Sequence, residues 1–437
     1  MKVLLISTYD LGHQPFAIAS PTAWLREKGH KVACVDLAVS YLDEELVSDA
    51  ELIAISLPMH TATRIAAEVI REIRSGHPAV PICCYGLYAP LNAEYLRSIG
   101  ATFILGGEFE SGLLALAEGA VPSTAVSLER LQFVTPDRRG LPQLARYTYL
   151  DVNGMKLVAG YTEASRGCKH LCRHCPIVPV YNGTFRVVQP NVVLADVRQQ
   201  VEAGAQHITF GDPDFWNGPT HACRIVDALH AEFPKLTYDV TIKVEHLLKH
   251  ARLVPKLRET GCLFVTTAVE SVQDDVLARL DKGHTGADFI RVVELFRSAD
   301  LALAPTFVPF TPWTTQEGYR DLLSTLLELD LVDNVAPVQL ALRLLIPAGS
   351  RILELDDVPI TKFDNAGLVY RWKHTDPSVD ELAASVLTTI HQGQKNRLSR
   401  REIFRNVWAV AHGRAIPEPF DLMPRTTIPY MDEPWYC

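Results

Sequence analysis

Over residues 1–120, short β-branched runs alternate with amphipathic stretches. The runs "KVLLIST", "KVACVDL", "LIAISLP", "VPICCYG" and "TFILGG" read as strands. In "TATRIAAEVIREIR" the apolar residues recur at three and four, the spacing of one helix face. Five such units predict a doubly wound parallel α/β domain. Ligands of such sheets sit at the carboxyl ends of the strands, here "STYDLGHQPF" and "SLPMHTATR". The first turn lacks G-x-G-x-x-G, which disfavours a nicotinamide or flavin dinucleotide. Residues 121–160 carry scattered Pro and Gly and the polar cluster "TPDRRGLPQL", and read as a linker.

A second alternating series fills residues 161–349: "GYTEAS", "HITFGDPDF", "TYDVTIKVE", "CLFVTTAVES", "LALAPTFVPF" and "VQLALRLLIP". Helical patterns such as "NVVLADVRQQVEAG" and "LLKHARLVPKLRETG" separate them. Six βα units of this kind predict a partial (β/α)6 barrel or a strongly curved open sheet. Polar residues collect at the strand ends: Asp212, Asp214, Thr241, Lys243, Glu245, Glu270, Ser271 and Arg343. Barrel chemistry is carried by the carboxyl strand ends, so these residues form a candidate ring. Lys243 and Glu245, two apart, are expected on one strand face. Residues 350–437 read as a C-terminal extension with two helices, "DELAASVLTTIHQGQ" and "RREIFRNVWAVAHG", and a Pro-rich tail. No internal repeat is apparent.

The chain has 437 residues, too many for one ordinary domain, and 48% hydrophobic with 21% charged residues is globular composition. A formal net charge of −9 argues against nucleic acid held by a general basic field. "MKVLLISTYD" reads as a first strand rather than a signal peptide. No run approaches the roughly 20 apolar residues of a membrane helix. The expectation is a soluble, cytoplasmic protein with no membrane partner.

Nine cysteines suggest reduced thiols rather than a disulfide framework. Cys34, Cys83, Cys84, Cys223 and Cys262 lie in or beside apolar segments and read as small buried hydrophobes. Cys168, Cys172 and Cys175 differ: the spacing C-x3-C-x2-C puts three thiols on one tight loop in "ASRGCKHLCRHCP". A zinc finger or ribbon needs a second ligand pair, and none is present. His170 and His174 alternate with the cysteines, so a mixed Cys/His zinc site stays open as the lesser alternative. An iron–sulfur cluster fits better, because three ligands leave one iron free to bind a further molecule. A metal site three-quarters closed points to an enzyme rather than an electron carrier.

C-x3-C-x2-C after the first strand of a partial barrel resembles the signature of the radical S-adenosylmethionine superfamily. The resemblance implies a [4Fe–4S] cluster on Cys168, Cys172 and Cys175 whose free iron is chelated by the methionine moiety of S-adenosylmethionine. It also implies an external electron donor such as flavodoxin or ferredoxin, and a 5′-deoxyadenosyl radical that abstracts hydrogen. "GDPDF" resembles the second-strand motif contacting the methionine amino group, with Asp212 and Asp214 as candidates. "VES" resembles the fourth-strand motif (Glu270, Ser271), and "RLLIP" the sixth-strand segment that passes the adenine (Arg343). Lys243 and Glu245 are further cofactor candidates. His174 stands where the family commonly has an aromatic that packs on adenine, which weakens that contact. The fifth-strand segment "PTFVPFTPWTT" also departs from the usual Gly/Pro-rich turn, and its Phe307, Phe310 and Trp313 are expected in the substrate pocket or the core.

An α/β domain before such a barrel resembles the Rossmann-like, cobalamin-binding class of the superfamily, which implies cobalamin between the two domains. "LGGEFES" resembles that class's fifth-strand turn, whereas D-x-H-x-x-G is absent and "YGLYAPLN" replaces the usual Gly-rich fourth-strand turn. The alternative is an inherited domain that has lost its corrinoid and serves as a lid. "GYTEASRGCKHLCRHCP", "RLLIPAGS" and "EPWYC" further resemble the group named for a Cys-Sec-Ala-Glu-Pro or Cys-Cys-Ala-Glu-Pro tail. That resemblance makes Cys437 a candidate redox group or soft-element ligand, beside the plain reading of an exposed terminal thiol.

The expected activity is radical chemistry on a small molecule, with methyl transfer as the default. Cobalamin-independent transfer of a 3-amino-3-carboxypropyl group, to a soft element such as arsenic, is the second enzymatic reading. A non-catalytic iron–sulfur carrier or sensor is the reading of another class. No residue is assigned as the catalyst.

Overall fold

Six parallel strands form the first sheet: β1 (Lys2–Ser7), β2 (Lys31–Asp36), β3 (Leu52–Ser56), β4 (Ile82–Tyr85), β5 (Phe103–Gly107) and the short β6 (Val126–Ser127). Their order is β2-β1-β3-β4-β5-β6. Both faces are buried, which is why the strands read as continuous apolar runs. Leu4, Ile6, Ile53 and Ile55 pack on one side, and Val3, Leu5, Ala54 and Cys83 on the other. Helices Phe16–Glu27 and His60–Gly76 belong to these layers. The computed structural model describes residues 1–421 and the backbone of 430–431. Cys437 and most of the Pro-rich tail lie outside the described residues.

The second sheet differs from the expected pattern at both edges. Its first parallel strand begins well before residue 161, because β7 (Tyr149–Val152) and β8 (Met155–Thr162) form an antiparallel hairpin. Asn153 and Gly154 turn it with φ of 54° and 81°, the left-handed backbone that an Asn-Gly pair tolerates. The end of the expected linker is therefore sheet. After β8, the short β9 (Ser165–Gly167) and β10 (Phe185–Val187) pair with each other. The parallel strands β11 (His207–Phe210), β12 (Thr237–Thr241), β13 (Cys262–Glu270) and β14 (Ala302–Phe307) then follow β8 in turn.

At the far edge, the sixth segment supplies no full strand. Pro337–Leu340 is a single 3-10 turn, and Arg343 makes one isolated bridge to Phe310. Pro337 has no N–H to give a ladder. The barrel is a half-barrel of five parallel strands with the sixth position only touched in.

Side chains alternate along the barrel strands. Ile208, Phe210, Tyr238, Val240 and Val265 join the main core, which includes helix residues such as Val193, Ile225 and Phe289. The intervening Thr209, Asp239, Thr241 and Thr266 face the interior. Beyond the barrel come a hairpin, β15 (Ile360–Asp364) and β16 (Val369–Trp372), and helices Pro377–Lys395 and Arg400–His412. A capping box of Ser399 and Glu402 starts the last helix, and Gly413 in left-handed backbone ends it. β17 (Tyr430–Met431) pairs with β7 at the sheet edge.

Cys83, Cys84 and Cys262 are fully buried, whereas Cys34 and Cys223 are partly covered, and every described cysteine is free.

Candidate cluster loop and interdomain cavity

The three-cysteine loop leaves β9 at Gly167, whose φ of +73° needs glycine. A side chain there would run into the Tyr181 ring and come within 2.5 Å of the Thr184 carbonyl oxygen. Inside the loop, Cys175 N donates to Cys172 O (3.1 Å) and Val178 N to Cys175 O (3.3 Å). Burial pushes the Cys175 thiol up to about 12, with Cys172 and Cys168 adding to the rise. Burial likewise raises Cys168. Thiols this close resist ionising together unless a cationic centre binds them, so the donor set fits a metal cluster.

Lys282, 3% exposed, supplies positive charge beside that loop. Burial works against its charge, but Glu270, Cys172 and Cys175 outweigh burial and raise its pKa. Its Nζ donates to Glu270 Oε1 at 3.2 Å, and His174 Nε2 reaches the same oxygen at 3.2 Å. Burial opposes the Glu270 charge, yet Lys282 and His174 bring its pKa down to about 2. Glu270 has φ of +68°, strained for a non-glycine residue at a strand end.

The expected ring divides into two groups. Asp212 accepts from Ser165 Oγ (2.5 Å) and Ala164 N (2.9 Å) behind the loop and borders the cavity described below. Burial raises Asp212 to about 7 against those hydrogen bonds. Thr241 also lines the cavity. Asp214 turns the other way, with Oδ2 2.7 Å from His246 Nδ1 and 3.8 Å from His170 Nε2.

Lys243 and Glu245 do not share a strand face. β12 ends at Thr241, Lys243 stands just before the helix Val244–Lys249 and Glu245 lies in its first turn, with 3.3 Å between the charged ends. Ser271 is spent on a turn, its Oγ accepting from Gln273 N at 3.0 Å. Arg343 is drawn out of the ring: it pairs with Asp380 at 2.6 Å and lies over the Trp372 ring. Phe307 and Phe310 sit in the core, with Phe310 stacked on Tyr319, while Trp313 donates to Asp357.

The carboxyl ends of both sheets open onto one cavity of about 690 Å³. On the first-domain side it is walled by Asp10 and His13 after β1, Pro58 and Met59 after β3, Gly86 and Leu87 after β4, and Gly107 and Phe109 at β5. The barrel contributes Thr209, Asp239, Thr241, Thr266 and Thr306, and the C-terminal helices contribute Gln394 and Arg400. Asp239 Oδ1 accepts from Thr209 Oγ1 (2.7 Å) and lies 2.9 Å from His207 Nε2. His13 is buried with its ring 4.9 Å from that of Tyr161, and its Nδ1 has no hydrogen-bond partner. An orphaned buried nitrogen beside the cavity fits a bound group in this space.

Charge seals the junction beside the loop. Arg166 pairs with Glu110 (2.7 Å), Glu163 (2.6 Å) and Glu108 (3.5 Å), all buried or nearly so. Glu108 and Glu110 come from "LGGEFES", so that turn anchors the cysteine loop. Burial raises Glu108 to about 7, more than Arg166 lowers it. Arg138 ties the same halves together through Asp196, Gln14 Oε1 and the Tyr161 carbonyl oxygen.

Arg166, Glu108, Glu110, Asp239 and Lys282 were not singled out by spacing. Asp239 alone had a local sign, a charge in the middle of an otherwise strand-forming run, "TYDVT".

Residues 162–317 match the family described as the Radical SAM superfamily, so the chain carries a radical SAM domain there. Among curated relatives, a tRNA-2-methylthio-N(6)-dimethylallyladenosine synthase of Salinispora arenicola is 25% identical over 337 residues, covering 64% of this chain and 65% of that protein. Ribosomal protein uS12 methylthiotransferase RimO of Herpetosiphon aurantiacus is 27% identical over 232 residues, or 50% of this chain and 48% of the relative. The chain thus spans about half to two thirds of those relatives' lengths.

Two solved structures share the fold. The cobalamin-dependent S-adenosylmethionine radical enzyme OxsB, with aqua-cobalamin and S-adenosylmethionine bound, matches with a TM-score of 0.66 and 14% identity over 91% of this chain and 67% of its own. The radical S-adenosylmethionine methyltransferase TsrM from Kitasatospora setae matches with 0.57 and 18%, over 75% and 71%.

Proposed function

We propose that this radical SAM domain protein is an enzyme with a [4Fe–4S] cluster on Cys168, Cys172 and Cys175, S-adenosylmethionine at that cluster, and cobalamin between its two α/β domains. Its reaction is methyl transfer to a small molecule, with a second S-adenosylmethionine as the methyl donor and S-adenosylhomocysteine as its leaving product. The observation that carries the reading is the junction itself: Gly167 and Ile177, which flank the cysteine loop, and the carboxyl ends of two parallel sheets border one cavity. When bound, the cluster and S-adenosylmethionine supply a 5′-deoxyadenosyl radical. The chain's own residues hold and shield that chemistry. Lys282 balances negative charge at the cysteines, Asp212 braces the loop through Ser165, and Gln394 and Arg400 close the cavity from the C-terminal side.

The lining sets Asp10, Glu163, Asp212 and Asp239 against Arg166 and Arg400 amid apolar side chains, which favours a small molecule of little net charge. The curated relatives are named for a tRNA product and a ribosomal protein, and a cavity covered by the C-terminal helices supports a smaller substrate here. The reading carries with it an external reductant such as flavodoxin or ferredoxin, and a reducing, cytoplasmic setting for the cluster. Among the described residues no helix is long and apolar enough to cross a membrane.

Anaerobic reconstitution followed by iron, sulfide and cobalt counts and nucleoside analysis tests the proposal. The expected result is one cluster and one cobalamin per chain, with deoxyadenosine formed under a strong reductant and no cluster in Cys168→Ala. Methylthioadenosine would instead identify 3-amino-3-carboxypropyl transfer. A loaded protein that leaves S-adenosylmethionine intact would be a carrier or sensor. The grouping by a Cys-Sec-Ala-Glu-Pro or Cys-Cys-Ala-Glu-Pro tail, with Cys437 as its first residue, is tested by reading the genomic codons that follow Cys437.

A further inference from the structure

The cysteine loop carries a second constellation that faces away from the cavity. His170 lies between Cys168 and Cys172, Asp214 follows β11, and His246 is in the helix that follows β12. One ligand atom from each of the three lies within 4.8 Å of the others. His170 Nε2 is 3.3 Å from His246 Nε2 and 3.8 Å from Asp214 Oδ2, and His246 Nδ1 is 2.7 Å from that same oxygen. Asp214 and His246 are 2% and 4% exposed.

His170 and His246 share a hydrogen bond, and Asp214 meets His246 as an ion pair. Asp214 Oδ2 and His246 Nδ1 are each buried without a hydrogen-bond partner, although they are 2.7 Å apart. The other oxygen, Oδ1, accepts from Trp216 N and so fixes the carboxylate. A buried carboxylate oxygen and an imidazole nitrogen in ion-pair contact without a hydrogen bond are poorly satisfied, and a shared cation between them removes that cost. Glu245 Oε2 lies 3.5 Å from His170 Nδ1, placed as the carboxylate that orients a metal-bound histidine from its far nitrogen.

We propose that His170, Asp214 and His246 bind one divalent transition-metal cation, separate from the cysteine-bound cluster. Two imidazoles and one carboxylate suit Zn²⁺ or Fe²⁺ and leave further positions for water. None of the three residues lines the interdomain cavity, so the site stands whether or not cobalamin or a methyl acceptor binds there. Its structural effect is to pin the cysteine loop to the ends of the second and third parallel barrel strands.

Zinc is the probe. Anaerobically reconstituted full-length protein, equilibrated with zinc and then desalted, is expected to hold one zinc per chain beyond its cluster iron. Asp214→Asn and His246→Ala are each expected to weaken zinc retention by at least about tenfold while iron and sulfide stay at the wild-type level. Zinc K-edge absorption of the wild-type protein is expected to show nitrogen and oxygen neighbours only. Sulfur neighbours would mean that zinc sits on the cysteines, and would overturn the site. Equal retention by the variants, or no zinc in the wild type, would also overturn it and leave a bare His–His–Asp contact. The absorption measurement needs no variant, so a substitution that fails to fold does not remove the test.

Discussion

Arg166 donates to Glu110 Oε1 at 2.7 Å, joining the residue two places before Cys168 to the turn that follows the last long strand of the first domain. The cysteine loop is thus held by the other domain as well as by its own barrel. Arg166 is surrounded by three carboxylates, Glu108, Glu110 and Glu163. Arg166→Met should leave them buried without their counter-charge and cost about 3–5 kcal/mol. Chemical unfolding checks the loss, and iron retention should fall with it. Arg166→Lys should recover only part, because an ammonium cannot reproduce the forked contacts.

Burial raises the Glu108 pKa to about 7 despite Arg166, with the neighbouring Glu110 and Glu163 adding to the rise. A carboxyl raised on folding stabilises the fold below its ordinary pKa of 4.5, and that contribution is lost as pH rises through 7. Glu108→Gln mimics the protonated form. It should match the wild type in acid and exceed it above neutrality, by up to roughly 3 kcal/mol. Equal pH profiles of unfolding free energy for the two proteins would contradict this assignment.

Lys282 places a buried positive charge where Cys172 and Cys175 feel it. Lys282→Met should make a cluster on those cysteines harder to reduce. Its midpoint should move negative by about 60 mV for each ~1.4 kcal/mol that the charge gives the reduced form. Lys282→Arg should lie near the wild type. A redox titration followed by electron paramagnetic resonance reads the shift.

Gly167→Ala adds a methyl group against the Tyr181 ring and the Thr184 carbonyl in backbone of positive φ. Overpacking and strain together should cost more than about 3 kcal/mol. Gly204 also has positive φ, but open space surrounds it, so Gly204→Ala should cost only the backbone strain. Thermal unfolding of the two variants separates steric crowding from strain.

Much of the fold was legible locally. Buried parallel strands must be apolar on both faces, so "LIAIS" and "ICCY" announced themselves, and amphipathic helices did the same at their own period. The hairpin at Asn153-Gly154 carried its own signal but was hidden inside a stretch read by composition as linker. "VQLALRLLIP" looked like a sixth strand because its residues are strand formers. Pro337 and the pull of Asp380 and Trp372 on Arg343 leave it with one bridge.

The sequence by itself determined the two alternating α/β series and the three closely spaced thiols, because periodicity and ligand spacing are properties of neighbouring residues. Only the tertiary structure decided which polar strand ends meet. It sent Asp212 toward the cavity and Asp214, two residues on, toward His246, because the chain turns between them. It also brought Glu108 and Glu110 to Arg166 across 56 and more residues of chain. Such pairings come from where the strands end in space, and no local pattern of residues encodes that position.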